Sequence, residues 1–158
     1  MSLIITDLST PHFDQPSTID QLVGWMRNNC YNFDSYSING NHIHEGYGIE
    51  KYEDKFFWYY TERGQKNVLE EFRTEREVVL HALEALQDDR WAKTHCIGFV
   101  FIKALHEELA TILQKLNVEF TQDRILYSSP DRYAYRTFVF GCDVRKTSYL
   151  KEQFYHAP

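Results

Sequence analysis

The sequence predicts an α+β fold, a single domain in which an antiparallel or mixed β-sheet, built from a β-meander and a C-terminal hairpin, packs against amphipathic helices. Two segments open with capping pairs and continue as apolar stripes at helical spacing. Between them lie three consecutive strand-like runs separated by short polar turns. No repeat, low-complexity segment or Pro/Gly/Ser-rich linker divides the 158 residues, so one domain over 1–158 is expected.

In "STIDQLVGWMRNN", Thr18 and Gln21 stand at capping-box spacing, and Ile19, Leu22, Val23 and Met26 share one face of a short helix. The meander follows as strands over 43–52, 55–62 and 66–72, parted by Glu53-Asp54 and Arg63-Gly64-Gln65. Thr74 and Glu77 form a second capping box. The helix after it has Val78, Val79, Ala82, Leu83 and Leu86 inside and Glu75, Arg76, Glu84, Gln87 and Asp88 outside. "HCIGFVFI" reads as a buried strand and "KALHEELATILQKLN" as a helix with Leu105, Leu109, Ile112, Leu113 and Leu116 on its apolar side, with "VEFTQ" closing a strand–helix–strand unit. A hairpin is expected in "ILYSSPDRYAYRTFVFG", looping at Ser128-Ser129-Pro130-Asp131. A last short helix, "RKTSYLKEQFY", sets Leu150 and Phe154 on the sheet.

The stretch "FFWYYTERG" gives the meander two apolar faces. Alternation sends Phe57 and Tyr59 to one side and Phe56, Trp58 and Tyr60 to the other. One face meets the helices, and the other is either covered by the chain or open to a partner. Glu62-Arg63-Gly64 reads as a hairpin turn with a surface ion pair in preference to a catalytic pair.

Composition narrows the function classes. A chain of about 150 residues buries roughly 70% of its unfolded surface, and with 43% hydrophobic residues this one is expected to fold without disulfide or metal staples. Acids outnumber bases 23 to 17, a net charge of -6, which argues against a sequence-independent grip on nucleic acid. Cys30, Cys96 and Cys142 are widely spaced and form no CxxC, so reduced thiols are expected. "MSLIITDLST" has no basic n-region, and the longest apolar run is far short of the ~20 residues of a membrane span. A cytoplasmic location with no membrane partner follows as the expectation.

Phosphate-loop, HExxH and GxSxG signatures are absent from the sequence. "HIHE" offers His42, His44 and Glu45, where alternate strand residues would aim two imidazoles at one ion, with His95 or Cys96 as a further ligand. That spacing supports an alternative reading as a metal-dependent hydrolase or small-ligand-binding enzyme. Cys96 and His95 are adjacent in a strand, so they point apart and do not make a nucleophile–base pair. Tyr133 and Tyr135 with Arg132, Arg136 and Arg145 could stack bases and hold phosphates, against the acidic balance. Acids cluster instead: Glu70, Glu71, Glu75 and Glu77 around the start of the second helix, then Glu84, Asp88 and Asp89. They make either a solvated face or a surface for a basic protein.

The run "FFWYYTERGQKNVLEEFRTEREVVLHALEALQDDRWAKTHCIGF", followed by "YRTFVFGCD" and "YLKEQFY", resembles immunity proteins of bacterial polymorphic toxin systems, including contact-dependent growth inhibition. It spans roughly residues 55 to 155. The resemblance implies a non-enzymatic cytoplasmic inhibitor, without cofactor or metal, that binds a cognate toxin domain, often a nuclease, and blocks its active site or substrate path. It supplies no catalytic residues. An acidic protein suits such a partner, because a nuclease presents basic residues to phosphate. Interfaces are enriched in Trp and Tyr, so the expected contacts are Tyr47, Tyr52, Trp58 and Tyr60 with Glu50, Asp54 and Glu62 as charged neighbours.

Overall fold

The computed structural model describes residues 15–157; the opening stretch tested for a secretion signal lies outside them. The fold is α+β, with its strands in two separate sheets. Two compact units are present, one up to Ala92 and one from Lys93.

In the first unit, α1 (Ile19–Asn28) precedes the strands β1 (Tyr36–Ser37), β2 (Glu45–Tyr52), β3 (Lys55–Glu62) and β4 (Gln65–Phe72), and α2 (Glu75–Asp88) follows them. The expected capping pairs form. Thr18 accepts from the Gln21 amide (3.1 Å), but Gln21 Oε1 accepts from Ser17 N (2.9 Å), one residue earlier than a reciprocal box requires. At α2 the box closes fully, with Thr74 and Glu77 serving each other's amides. The Glu75 carboxylate also accepts from the Ile19 amide at the start of α1 (2.7 Å).

The sheet runs β1-β2-β3-β4, antiparallel except for the two-residue parallel pair of β1 with β2. Glu62 pairs with Gln65 across Arg63 and Gly64, whose φ of 53° and 79° give a turn twisted to suit a two-residue hairpin. The bases of α1 and α2 bury Leu22, Met26, Val78, Val79, Ala82 and Leu86 against Ile49, Phe56 and Trp58 of the sheet. Tyr36 is buried here too, and its hydroxyl donates to Asp89 (2.6 Å). Burial first, and the Asp89 carboxylate second, push its ionisation far up.

The opposite face carries Tyr59, which is nonetheless only 5% exposed. It lies directly across from Gly48, and a Cβ on that glycine would strike the Tyr59 ring. The missing side chain is what lets the ring fold down onto the sheet. Gly46, at φ 145°, likewise leaves no room for a Cβ beside the Ser35 carbonyl, so the segment entering β1 can lie tight on β2.

The second unit contains β5 (Thr94–Val100), α3 (Lys103–Lys115), β6 (Phe120–Tyr127) and β7 (Ser129–Phe140), then the short helices α4 (Val144–Thr147) and α5 (Lys151–Phe154). Its order is β5-β7-β6, all antiparallel neighbours, so the expected strand–helix–strand unit forms with β7 inserted between its two strands. Gly98 admits α3 closely, since a Cβ there would come within 2.6 Å of Leu109 Cδ2. Ile97, Leu109, Leu113, Val139, Leu150 and Phe154 fill the core, as the spacing of Leu150 and Phe154 predicts. The β6–β7 turn is tighter than expected, because Ser128 adopts φ 62° and Pro130 and Asp131 already belong to β7.

The expectation of three reduced thiols is corrected: Cys96 is free, whereas Cys30 and Cys142 are not free thiols. Among the described residues no helix is long and apolar enough to cross a membrane.

Candidate functional site

The β2–β3 register builds the most distinctive surface of the first unit. The turn at Glu53-Asp54 pairs Tyr47 with Tyr60, Ile49 with Trp58 and Glu45 with Glu62, and directly paired residues share a face. The Tyr47 and Trp58 rings stack with centroids 5.6 Å apart and planes within 8°, and Tyr60 meets Tyr47 edge-on at 5.0 Å. Exposure rises along this row: Trp58 is 4% exposed and Tyr47 36%.

At the solvent end of the row two carboxylates face each other. Like charges directly opposite are destabilising in a sheet. Here one hydroxyl serves both, since Tyr60 Oη lies 2.9 Å from Glu45 Oε2 and 3.2 Å from Glu62 Oε1. The hydrogen bond to Glu45, followed by desolvation and the two negative charges, pushes the Tyr60 phenol up to about 12. A phenol has one hydrogen, so it satisfies one carboxylate at a time. Among the described residues no Lys, Arg or His forms an ion pair with Glu45 or Glu62. Two carboxylates beside an exposed aromatic face suit a guanidinium or ammonium group, which gains charge-assisted hydrogen bonds from one and cation–π attraction from the other.

The residues expected at a partner surface therefore divide. Tyr47, Tyr60 and Glu62 come together, joined by Glu45. Trp58 shares their face but is core: it packs against Tyr36 and His81 at 6.5 and 5.3 Å and has almost no surface to offer. The expectation of an exposed Trp58 is thus corrected, because period-2 alternation fixes a face but not a depth. Glu50 and Tyr52 lie on the other face by the same alternation, with Glu50 paired to Lys66 (3.1 Å), and Asp54 sits in the turn.

The acids around α2 are mostly occupied. Glu71 pairs with Lys55 (2.9 Å), Glu75 and Glu77 hold backbone amides, and Asp89 accepts from Tyr36 and from the Trp91 amide (2.9 Å). An open cleft of about 620 Å³ is lined by the loop after β1 and by Glu50, Lys51, Tyr59, Thr61 and Lys66, of which Glu50 and Lys66 are paired with each other.

His42 and His44 precede β2 instead of lying within it. Their exposed rings still approach edge-on at 5.0 Å. Among the described residues no three His, Cys, Asp or Glu side chains converge to hold a metal ion. Cys96 is on β5, where burial pushes its thiol up, away from the reactive thiolate. The arginines considered for phosphate binding have internal partners: Arg136 forks onto Asp123 (2.8 and 2.6 Å), and Arg132 lies 4.0 Å over the Phe101 ring. The chain matches no family model, no curated protein and no solved structure.

Proposed function

We propose that this chain is a cytoplasmic immunity protein that binds and neutralises a basic bacterial toxin domain, a nuclease being the best-suited class, and that Glu45, Tyr47, Tyr60 and Glu62 contact it. It acts by occupying the toxin's active site or substrate path, with no catalysis and no cofactor of its own. The single observation that supports this most is the pair of opposed carboxylates sharing one tyrosine hydroxyl beside an exposed ring, with no cation among the described residues paired to either. A partner's Arg or Lys placed there relieves the repulsion that the free protein tolerates. A toxin that binds phosphate backbones carries such side chains at its working surface.

The test is a binding titration against the C-terminal domain of the large secreted protein encoded beside this one, at low and high salt. Tight binding that weakens with salt is expected, and Glu45→Gln with Glu62→Gln together should weaken it by about tenfold or more. Binding insensitive to both salt and the double substitution would move the contact surface elsewhere. No binding at either salt would end the pairing itself.

A further inference from the structure

We propose that β4 is a homotypic pairing edge, along which two copies of this chain join their first sheets antiparallel into one continuous sheet. Among the described residues the sheet order ends at β4, and every residue of that strand except Phe72 is exposed, Val68 and Leu69 by 59% and 55%. An eight-residue edge with apolar side chains in water is a template for another strand.

What selects a second copy as the occupant is the pattern of charges. Lys66 pairs with Thr61, Val68 with Tyr59 and Glu71 with Phe57, so Lys66, Val68 and Glu71 share one face of the sheet. Asn67 and Glu70, opposite Tyr60 and Trp58, share the other. In a regular strand Lys66 and Glu71, five positions apart, would point to opposite faces. The irregularity between Trp58 and Tyr59, where Leu69 is passed over on β4, brings them onto the same one.

A two-fold axis between Val68 and Leu69 then sets Lys66 against Glu71 of the second copy, Val68 against its Leu69 and Asn67 against its Glu70. Each contact occurs twice by symmetry. Within one chain Lys66 already binds Glu50 (3.1 Å) and Glu71 binds Lys55 (2.9 Å). Across the axis these become a row of alternating sign: Glu50, Lys66, then Glu71 and Lys55 of the second copy. Charges that usually guard an edge against strangers are here complementary to themselves. The contact is one strand wide, below the size of standard stable interfaces, so a dissociation constant on the order of 10 μM is expected.

Sedimentation velocity on the full chain, over about 1 to 500 μM, tests this. The wild type should pass from monomer to dimer. Lys66→Glu and Glu71→Lys should each stay monomeric at unchanged thermal midpoint, since both positions are exposed. Mixed in equal amounts they should form a heterodimer, because the new acid of one then meets the new base of the other. Val68→Lys should also be monomeric. A wild type that stays monomeric throughout overturns the proposal, as does dimerisation by either charge variant alone or a mixture that fails to associate. The pairing is independent of toxin binding, so neither result decides the other.

Discussion

Replacing Trp58 by Ala separates a core position from a contact position on the same face of one strand. Trp58 is 4% exposed, stacked on Tyr47 and edge-on to His81, so truncation leaves a cavity walled by rings held from both helices and strands. A Trp-to-Ala change in such a core costs about 3–5 kcal/mol. For a chain of this length each kcal/mol moves the thermal midpoint by roughly 2–4 °C, which gives a fall of about 6–20 °C. Urea unfolding followed by circular dichroism should show a lower midpoint at unchanged slope, meaning lost stability and not an altered denatured state. Tyr47→Ala, at the exposed end of the row, should cost about 1 kcal/mol or less while weakening partner binding. If Trp58→Ala changes stability by less than about 1 kcal/mol and abolishes binding, the assignment of Trp58 to the core is refuted.

Two further outcomes follow from the same face. The Tyr60 phenol is raised from 10 to about 12, so the folded state holds a proton that the unfolded state has released between those values; its contribution is complete below pH 10 and is lost as pH climbs through 12. Tyr60→Phe should therefore unfold less steeply with pH over that window, as measured by denaturation midpoints, and an unchanged alkaline limb would contradict the shared hydroxyl. Gly46→Ala should destabilise by about 2 kcal/mol or more, because φ 145° and the Ser35 carbonyl both exclude a Cβ; a neutral result in thermal unfolding would mean that the chain before β1 can shift away.

Local structure was legible where the chain punctuates itself. Thr74 and Glu77 announced α2, and Glu53-Asp54 and Arg63-Gly64 bracketed β3 at its observed limits, Lys55–Glu62. The division into two sheets was not legible, because spacing along the chain says nothing of which strands pair, and the insertion of β7 between β5 and β6 is a tertiary choice. Alternation carries the expected strand back to residue 43 and so through His44, with His42 just before it, whereas pairing begins only at Glu45. The part played by Glu45 could have been found: once a two-residue turn is accepted at Glu53-Asp54, positions equally far from it must face each other, and Glu45 meets Glu62. Depth along the Trp58–Tyr47–Tyr60 row had no such signal, since it depends on where α1 and α2 cross the sheet.

The bond from Glu75 to the Ile19 amide has a consequence for the order of folding. A ten-residue helix such as α1 is marginal on its own in water, and one of its orphan first-turn amides is satisfied from a carboxylate fifty-six positions away. That amide is satisfied only after the whole meander has closed the loop between the two helices. The earliest described helix is thereby made a late and dependent element, and the firmness of its first turn reports on the docking of α2.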